Sequence, residues 1–173
     1  MAKIKIGVFG AGRGMTMIRQ ILGSKEAELV AVCDKYKPLL DQCKKEAEAA
    51  GLYNITYYER FDDFYNHDMD AVVCANYAHE HATFGIKLMK SGRHIMTECL
   101  TVANMAEAVE LIETVEQTGK VYTYAENYCY TPVRWEMRNI YRSGGRNRYQ
   151  HEGSEGRQRH FDQRRYFYHR RSR

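Results

Sequence analysis

Apolar residues along the chain fall into short β-type runs that alternate with stretches of helical spacing. The first run, Lys3 to Phe9, is strand-like and stops abruptly at Gly10, Gly12 and Gly14. Met15, Ile18, Ile21 and Leu22 then recur at helical spacing, and Gly23-Ser24 closes that helix. Glu28 to Asp34 reads as a second strand. Pro38 opens a helix through Leu39, Leu40, Cys43 and Ala47 that Gly51 stops. Ile55 to Tyr58 is a third strand, and Phe61 and Phe64 give a short helical piece an inward face. Asp70 to Ala75 is apolar enough for a central parallel strand. A helix starts near His79 and runs through Phe84 and Leu88 to Gly92, followed by a fifth strand, Arg93 to Thr97. Asn104-Met-Ala-Glu107 is a capping box for a helix over Met105, Val109, Ile112 and Val115, which Gly119 ends. Val121 to Ala125 is the sixth strand.

Strands joined by helices pair in parallel through right-handed crossovers, so the expected fold is α/β: a doubly wound parallel sheet of the Rossmann type. Ligands of such sheets bind beyond the carboxyl ends of the strands. The three glycines let the chain turn sharply beside a helix N-terminus, where backbone N–H groups suit a pyrophosphate. The match to G-x-G-x-x-G is incomplete, because Met15 stands where a third glycine or alanine is usual. Asp34, some twenty positions on, can accept hydrogen bonds from ribose hydroxyls and repel a 2′-phosphate, which favours NAD over NADP. It could equally start a turn.

Composition narrows this picture. No apolar run is long enough to cross a membrane, and the chain enters a strand without a signal-peptide pattern, so a cytoplasmic location is expected. Cys33, Cys43, Cys74, Cys99 and Cys129 form no C-x-x-C pair and read as reduced structural thiols, with no metal site. The net charge of +4 comes from the last thirty or so residues, since the body is mildly acidic.

These blocks in this order resemble the Gfo/Idh/MocA family, the glucose-fructose oxidoreductase and inositol dehydrogenase type, from about Ile4 to Ser143. The likeness rests on Gly7-Val-Phe-Gly-Ala-Gly-Arg-Gly14, Asp34, and Asp70-Ala-Val-Val-Cys-Ala-Asn-Tyr-Ala-His-Glu-His81. It continues in Ser91-Gly-Arg-His-Ile-Met-Thr-Glu-Cys-Leu100 and Ala125-Glu-Asn-Tyr-Cys-Tyr-Thr-Pro132. The resemblance implies an NAD-binding domain that serves hydride transfer to or from a sugar or polyol held by a larger second domain. It implies cofactor contacts from Gly10, Gly12, Arg13, Gly14, Asp34, Asn76, His81, Glu98 and Asn127, and leaves the catalytic residue unassigned. Cys99 stands where the family has the Lys of Glu-Lys-Pro, and a thiol of pKa ~8.5 supplies no permanent positive charge. Asn76-Tyr77 replaces Thr-Pro.

The expected organisation is a dinucleotide domain at 1–126, the start of a second domain at 127–143 with Trp135, Met137 and Ile140 as apolar positions, and an Arg-rich tail at 144–173 that is expected to be disordered. That tail contains no Ile, Leu, Val, Met or Ala and cannot build a core. A truncation or a shifted reading frame after about Ser143 explains it better than an arm that binds nucleic acid. Without the second domain, turnover and the oligomer of full-length relatives are expected to be lost. Two alternatives remain: an NAD-dependent glycoside hydrolase, and an inactive nucleotide-binding fragment whose tail contacts RNA or DNA.

Overall fold

The computed structural model describes residues 2–143. The tail at 144–173, and with it the expectation of disorder there, lies outside the described residues. Six strands form one parallel sheet: β1 (Ile4–Phe9), β2 (Ala27–Cys33), β3 (Thr56–Tyr58), β4 (Ala71–Cys74), β5 (His94–Thr97) and β6 (Tyr122–Tyr124), ordered β3-β2-β1-β4-β5-β6. The expected doubly wound sheet is therefore present. Strand order reverses at β1, since β2 leaves it on one side and β4 on the other, and this opens a crevice above the end of β1.

Residues alternate across each strand because successive side chains point to opposite faces. Val8, Val32 and Val73 pack on one face with Ala11, Met15 and Ile18 of α1 (Ala11–Leu22) and Leu40 and Cys43 of α2 (Lys37–Ala49). Ala31, Cys33, Val72, Cys74 and Ile95 pack on the other. Their partners there are Phe64 of α3 (Phe61–Tyr65), Leu88 and Met89 of α4 (His81–Lys90) and Leu111 of α5 (Met105–Thr118). Each fully buried side chain such as Ile18 or Leu88 contributes roughly 1.5–3 kcal/mol. With both faces covered, the strands can be apolar almost throughout.

Two sequence expectations need correction. A 3-10 turn over Ala78–Glu80 precedes α4, so the α-helix begins at His81 and not at His79. In α5 the packed side is Leu111 and Thr114, while Met105, Val109 and Ile112 are exposed. The helix carries two apolar stripes, and spacing alone cannot say which one meets the sheet. The cap itself is present: Asn104 Oδ1 accepts from the Glu107 N–H at 3.0 Å, while a Glu107 carboxylate oxygen accepts from the Ala103 N–H, one residue before the cap, at 2.8 Å.

The described residues divide into two compact units, the first ending at Asn127. The second, from Tyr128, holds a 3-10 turn at Tyr128–Tyr130 and α6 (Pro132–Arg142), with Pro132 in the helix's first turn. Trp135, Met137 and Ile140 of α6 are all exposed. The Arg134 guanidinium lies over the Tyr128 ring at 4.9 Å and that of Arg138 over Trp135 at 5.5 Å.

Candidate functional site

The crevice is built by the turn between β1 and α1. Gly10 has φ of 97°, and a Cβ there would run into the Ala75 carbonyl and the Asn76 nitrogen, so glycine is required for β1 and β4 to end side by side. Gly14 has a different reason. A Cβ added there would sit 2.8 Å from Val8 Cγ1 and 3.4 Å from Ala75 Cβ, so its absence sets how closely α1 approaches the sheet. This is the packing task of a third motif glycine, carried out one position early, which leaves Met15 free to be a buried core residue against Cys43. Gly12 is unlike either. Its added Cβ would meet only Leu39 Cδ1, at an ordinary 3.5 Å, so nothing in the protein's own packing excludes a Cβ there.

Gly12 lines a cavity of about 630 Å³ together with Phe9, Arg13, Asp34, Tyr36, Asn76 and Phe84. Asp34, immediately after β2, locks the turn. Its Oδ2 accepts from the Ala11 N–H and its Oδ1 from the Tyr36 N–H, both at 2.8 Å. One carboxylate thus satisfies the first amide of α1 and fixes the β2–α2 connection, and each oxygen keeps a second lone pair for another donor. The following first-turn amides of α1 have no acceptor within the helix, as at any helix N-terminus. Asp34 therefore combines the two roles that its sequence position allowed, a turn starter and an acid at the crevice.

The other expected site residues are spread more widely. Asn76 faces the cavity; its Nδ2 donates to Glu80 Oε2 at 3.0 Å, while its Oδ1 is buried with no partner among the described residues. Arg13 also lines the cavity, and its Nε lies 3.3 Å from Glu98 Oε1, joining an exposed guanidinium to a buried carboxylate with side-chain exposures of 65% and 7%. Glu98 stands behind the wall, its Oε2 accepting from the Cys99 N–H at 3.3 Å. His81 is also outside the lining. It is buried at the start of α4, and its Nδ1 lies 2.7 Å from the Leu100 carbonyl oxygen. That nitrogen donates to the carbonyl, and Nε2 is buried with no partner among the described residues. Asn127 is exposed beyond β6 and is not brought to the cavity.

Cys99 is exposed at the end of β5 and its thiol contacts Glu126 Oε2 at 3.5 Å. Tyr124 hydrogen-bonds with Cys99, and this bond, followed by burial, pushes the phenol up to about 12. A protonated phenol, a thiol and a carboxylate thus occupy the corner where the resemblance places a lysine. Cys33, which also lines the cavity, is pushed up to about 12 mainly by burial and stays a neutral thiol. Among the described residues no group of three or more His, Cys, Asp or Glu could hold a metal ion.

Sequence reasoning missed the aromatic side of the crevice. Phe61 and Phe84 had been assigned to helix faces in the core, yet both line the cavity beside Phe9, with ring centroids 4.4 Å apart for Phe61–Phe84 and 5.0 Å for Phe9–Phe84. Lys35 and Tyr77 complete one rim, the ammonium lying 4.6 Å from the Tyr77 ring centroid. Their positions directly after Asp34 and Asn76, at two strand ends flanking the switch point, were the available signal.

A parallel sheet with a glycine turn, an acid after β2 and a cavity at the switch point defines a nucleotide-binding domain of the Rossmann class. The chain belongs to the Gfo/Idh/MocA family, whose description is "Oxidoreductase family, NAD-binding Rossmann fold" and which matches residues 4–126. It is 26% identical over 153 residues to an alpha-N-acetylgalactosaminidase from Shewanella oneidensis, the match covering 83% of this chain and 33% of the relative. The chain thus spans about a third of the length of the curated relatives it matches. Among solved structures it is similar to scyllo-inositol dehydrogenase from Lactobacillus casei with bound NAD(H) and scyllo-inositol, at TM-score 0.71 and 22% identity over 83% of this chain and 42% of that one. A 3-ketoreductase from Actinomadura kijaniata in complex with TDP-benzene and NADP gives TM-score 0.70 at 15% identity over 83% of this chain and 43% of that one. At such identities the structural likeness is one of fold. No helix among the described residues is long and apolar enough to cross a membrane.

Proposed function

We propose that this chain is the cofactor-binding part of an oxidoreductase that moves hydride between a sugar or polyol and NAD. The observation that carries the reading is the cavity at the glycine turn, where Gly12 lacks a Cβ that the fold would tolerate and Asp34 is fixed by the Ala11 amide. In this reading the first-turn amides of α1 and Arg13 hold the pyrophosphate, and the spare lone pairs of Asp34 take the ribose hydroxyls. A carboxylate at that place disfavours a 2′-phosphate, so NAD is preferred to NADP. Asn76 Oδ1, buried and unpartnered, is an acceptor on the same wall. His81 acts at one remove, holding the Leu100 carbonyl and so the Glu98–Leu100 segment in place. Glu98 restrains Arg13.

Bound NAD supplies the hydride acceptor. The chain's own residues at that end are Cys99, Tyr124 and Glu126, a hydrogen-bonded set able to hold a proton but without a fixed cation. Substrate contacts in the family come from a second domain, so this chain by itself is expected to bind cofactor with little turnover. The test is NADH formation, followed by absorbance, with myo- and scyllo-inositol as donors, alongside direct binding of NAD. Binding of NADP in preference to NAD would overturn the cofactor choice. The likeness to an alpha-N-acetylgalactosaminidase supports a second reading, glycoside cleavage through an oxidation that is later reversed. Release of a p-nitrophenyl group from the matching glycoside with no net NADH would select it.

A further inference from the structure

We propose that a second copy of this chain docks on the outer flank of α5 and that its docking element is α6. Each copy lays its basic α6 antiparallel against the acidic α5 of the other, and the pair forms a twofold dimer. The inference is independent of the nucleotide reading.

Both helices carry an exposed apolar stripe. In α5 it is Met105, Val109 and Ile112, and in α6 it is Val133, Met137 and Ile140, each side chain at least half exposed. The two sets share the spacing i, i+4, i+7, which gathers three side chains into one narrow row on a helix. The α5 row is distinct from the face that meets the sheet, Leu111 and Thr114. It is also turned away from α4, whose side is marked by Glu110 at 3.1 Å from Lys90. Single exposed apolar residues are normal on a surface, whereas a continuous row marks a place of contact.

Charge decides what covers the rows. Along α5 stand Glu107, Glu110, Glu113 and Glu116 with no Lys or Arg, and along α6 stand Arg134, Arg138 and Arg142 against Glu136 alone. Two α5 helices would repel each other, and so would two α6 helices, but one of each attracts. The order of residues sets the direction. Glu110 and Glu113 directly follow Val109 and Ile112, and Arg134 and Arg138 directly follow Val133 and Met137, so the charges lie on the same hand of each row. Flanks of the same hand meet only when facing helices run antiparallel. In that direction Val109 lies against Met137 and Ile112 against Val133, which brings Glu110 to Arg138 and Glu113 to Arg134. The two guanidiniums already stack on Tyr128 and Trp135 of their own unit, and a stacked guanidinium still donates through its edge. Each copy offers one row of each kind, so the exchange is reciprocal and closes.

Analytical ultracentrifugation of the whole chain tests this. A reversible monomer–dimer equilibrium is expected. Val109→Arg, at an exposed position, should weaken it by about tenfold or more while the circular dichroism spectrum stays unchanged. Glu113→Arg and Arg134→Glu should each weaken it by about tenfold, since both symmetry-related pairs are lost, and the doubly substituted chain should return to within about threefold of the wild type. A chain that stays monomeric at every concentration reached would overturn the proposal. So would a dimer or larger assembly indifferent to Val109→Arg, or one in which the two charge reversals add without rescue, the result expected if the α6 row is instead a face for the rest of a second domain.

Discussion

Gly12→Ala and Gly14→Ala separate the two tasks that the glycine turn performs. Both positions lie in α1, where replacing glycine by alanine gains about 0.5–1 kcal/mol by restricting the unfolded chain. At position 12 the new methyl meets Leu39 Cδ1 at 3.5 Å, an ordinary contact, so the gain stands. At position 14 it lies 2.8 Å from Val8 Cγ1 and 3.4 Å from Ala75 Cβ, in the fully packed layer between helix and sheet. Overpacking of that kind costs about 1–3 kcal/mol, which exceeds the gain. For a chain of this size 1 kcal/mol moves Tm by roughly 2–4 °C. Thermal unfolding followed by circular dichroism should therefore show Gly14→Ala lowered by a few degrees and Gly12→Ala unchanged or slightly raised. Nucleotide affinity should fall for Gly12→Ala, whose methyl enters the cavity, and survive in folded Gly14→Ala. Equal stability of the two variants, or a loss of stability in Gly12→Ala alone, would refute the assignment of packing to Gly14 and of ligand space to Gly12.

Asp34→Ala leaves the Ala11 and Tyr36 amides without their acceptor and should cost about 2 kcal/mol in urea unfolding, with Asp34→Asn costing less because one oxygen remains. On the surface, Arg19 donates two hydrogen bonds of 2.7 Å to Glu46 and holds its carboxyl down at about 2 from an ordinary 4.5. A depressed folded value means the pair's contribution is present above pH 4.5 and is lost as pH falls toward about 2; the Tm gap between the wild type and Glu46→Gln, small because both groups meet solvent, should close over that window. In the native chain a thiol reagent should modify Cys99 and Cys129, and in denaturant all five cysteines. Burial protects the others, holding Cys33 and Cys74 up at about 12 and Cys43 at about 11; rapid native labelling of Cys74 would contradict the buried β4 register.

The strands and most helices were legible because each buried run is apolar on a period that its element imposes, and because glycine, proline and one capping box mark the ends. Asp34 was legible as a strand-end acid near the crevice. Its second task, capping the Ala11 amide, needed the turn's three-dimensional path. The third glycine was misjudged for a related reason: the motif counts residues, whereas packing depends on which Cβ points at Val8, and here that is position 14. In α5 two apolar stripes compete, and only the docked sheet chooses Leu111 over Ile112. The aromatic wall was hidden because Phe61 and Phe84 have the spacing of core residues and are partly buried, while also bordering the cavity. His81 reads as a ligand contact from its motif, but a carbonyl nineteen residues away claims its Nδ1.

If the turn at Gly10–Gly14 is a dinucleotide site, calorimetric titration of NAD into the whole chain and into Gly12→Val will separate the two proteins. The wild type should bind NAD saturably and one to one, and that binding should be lost in a Gly12→Val chain whose folded circular dichroism spectrum is retained. Failure of the wild type to bind NAD, or undiminished binding to Gly12→Val, would contradict it.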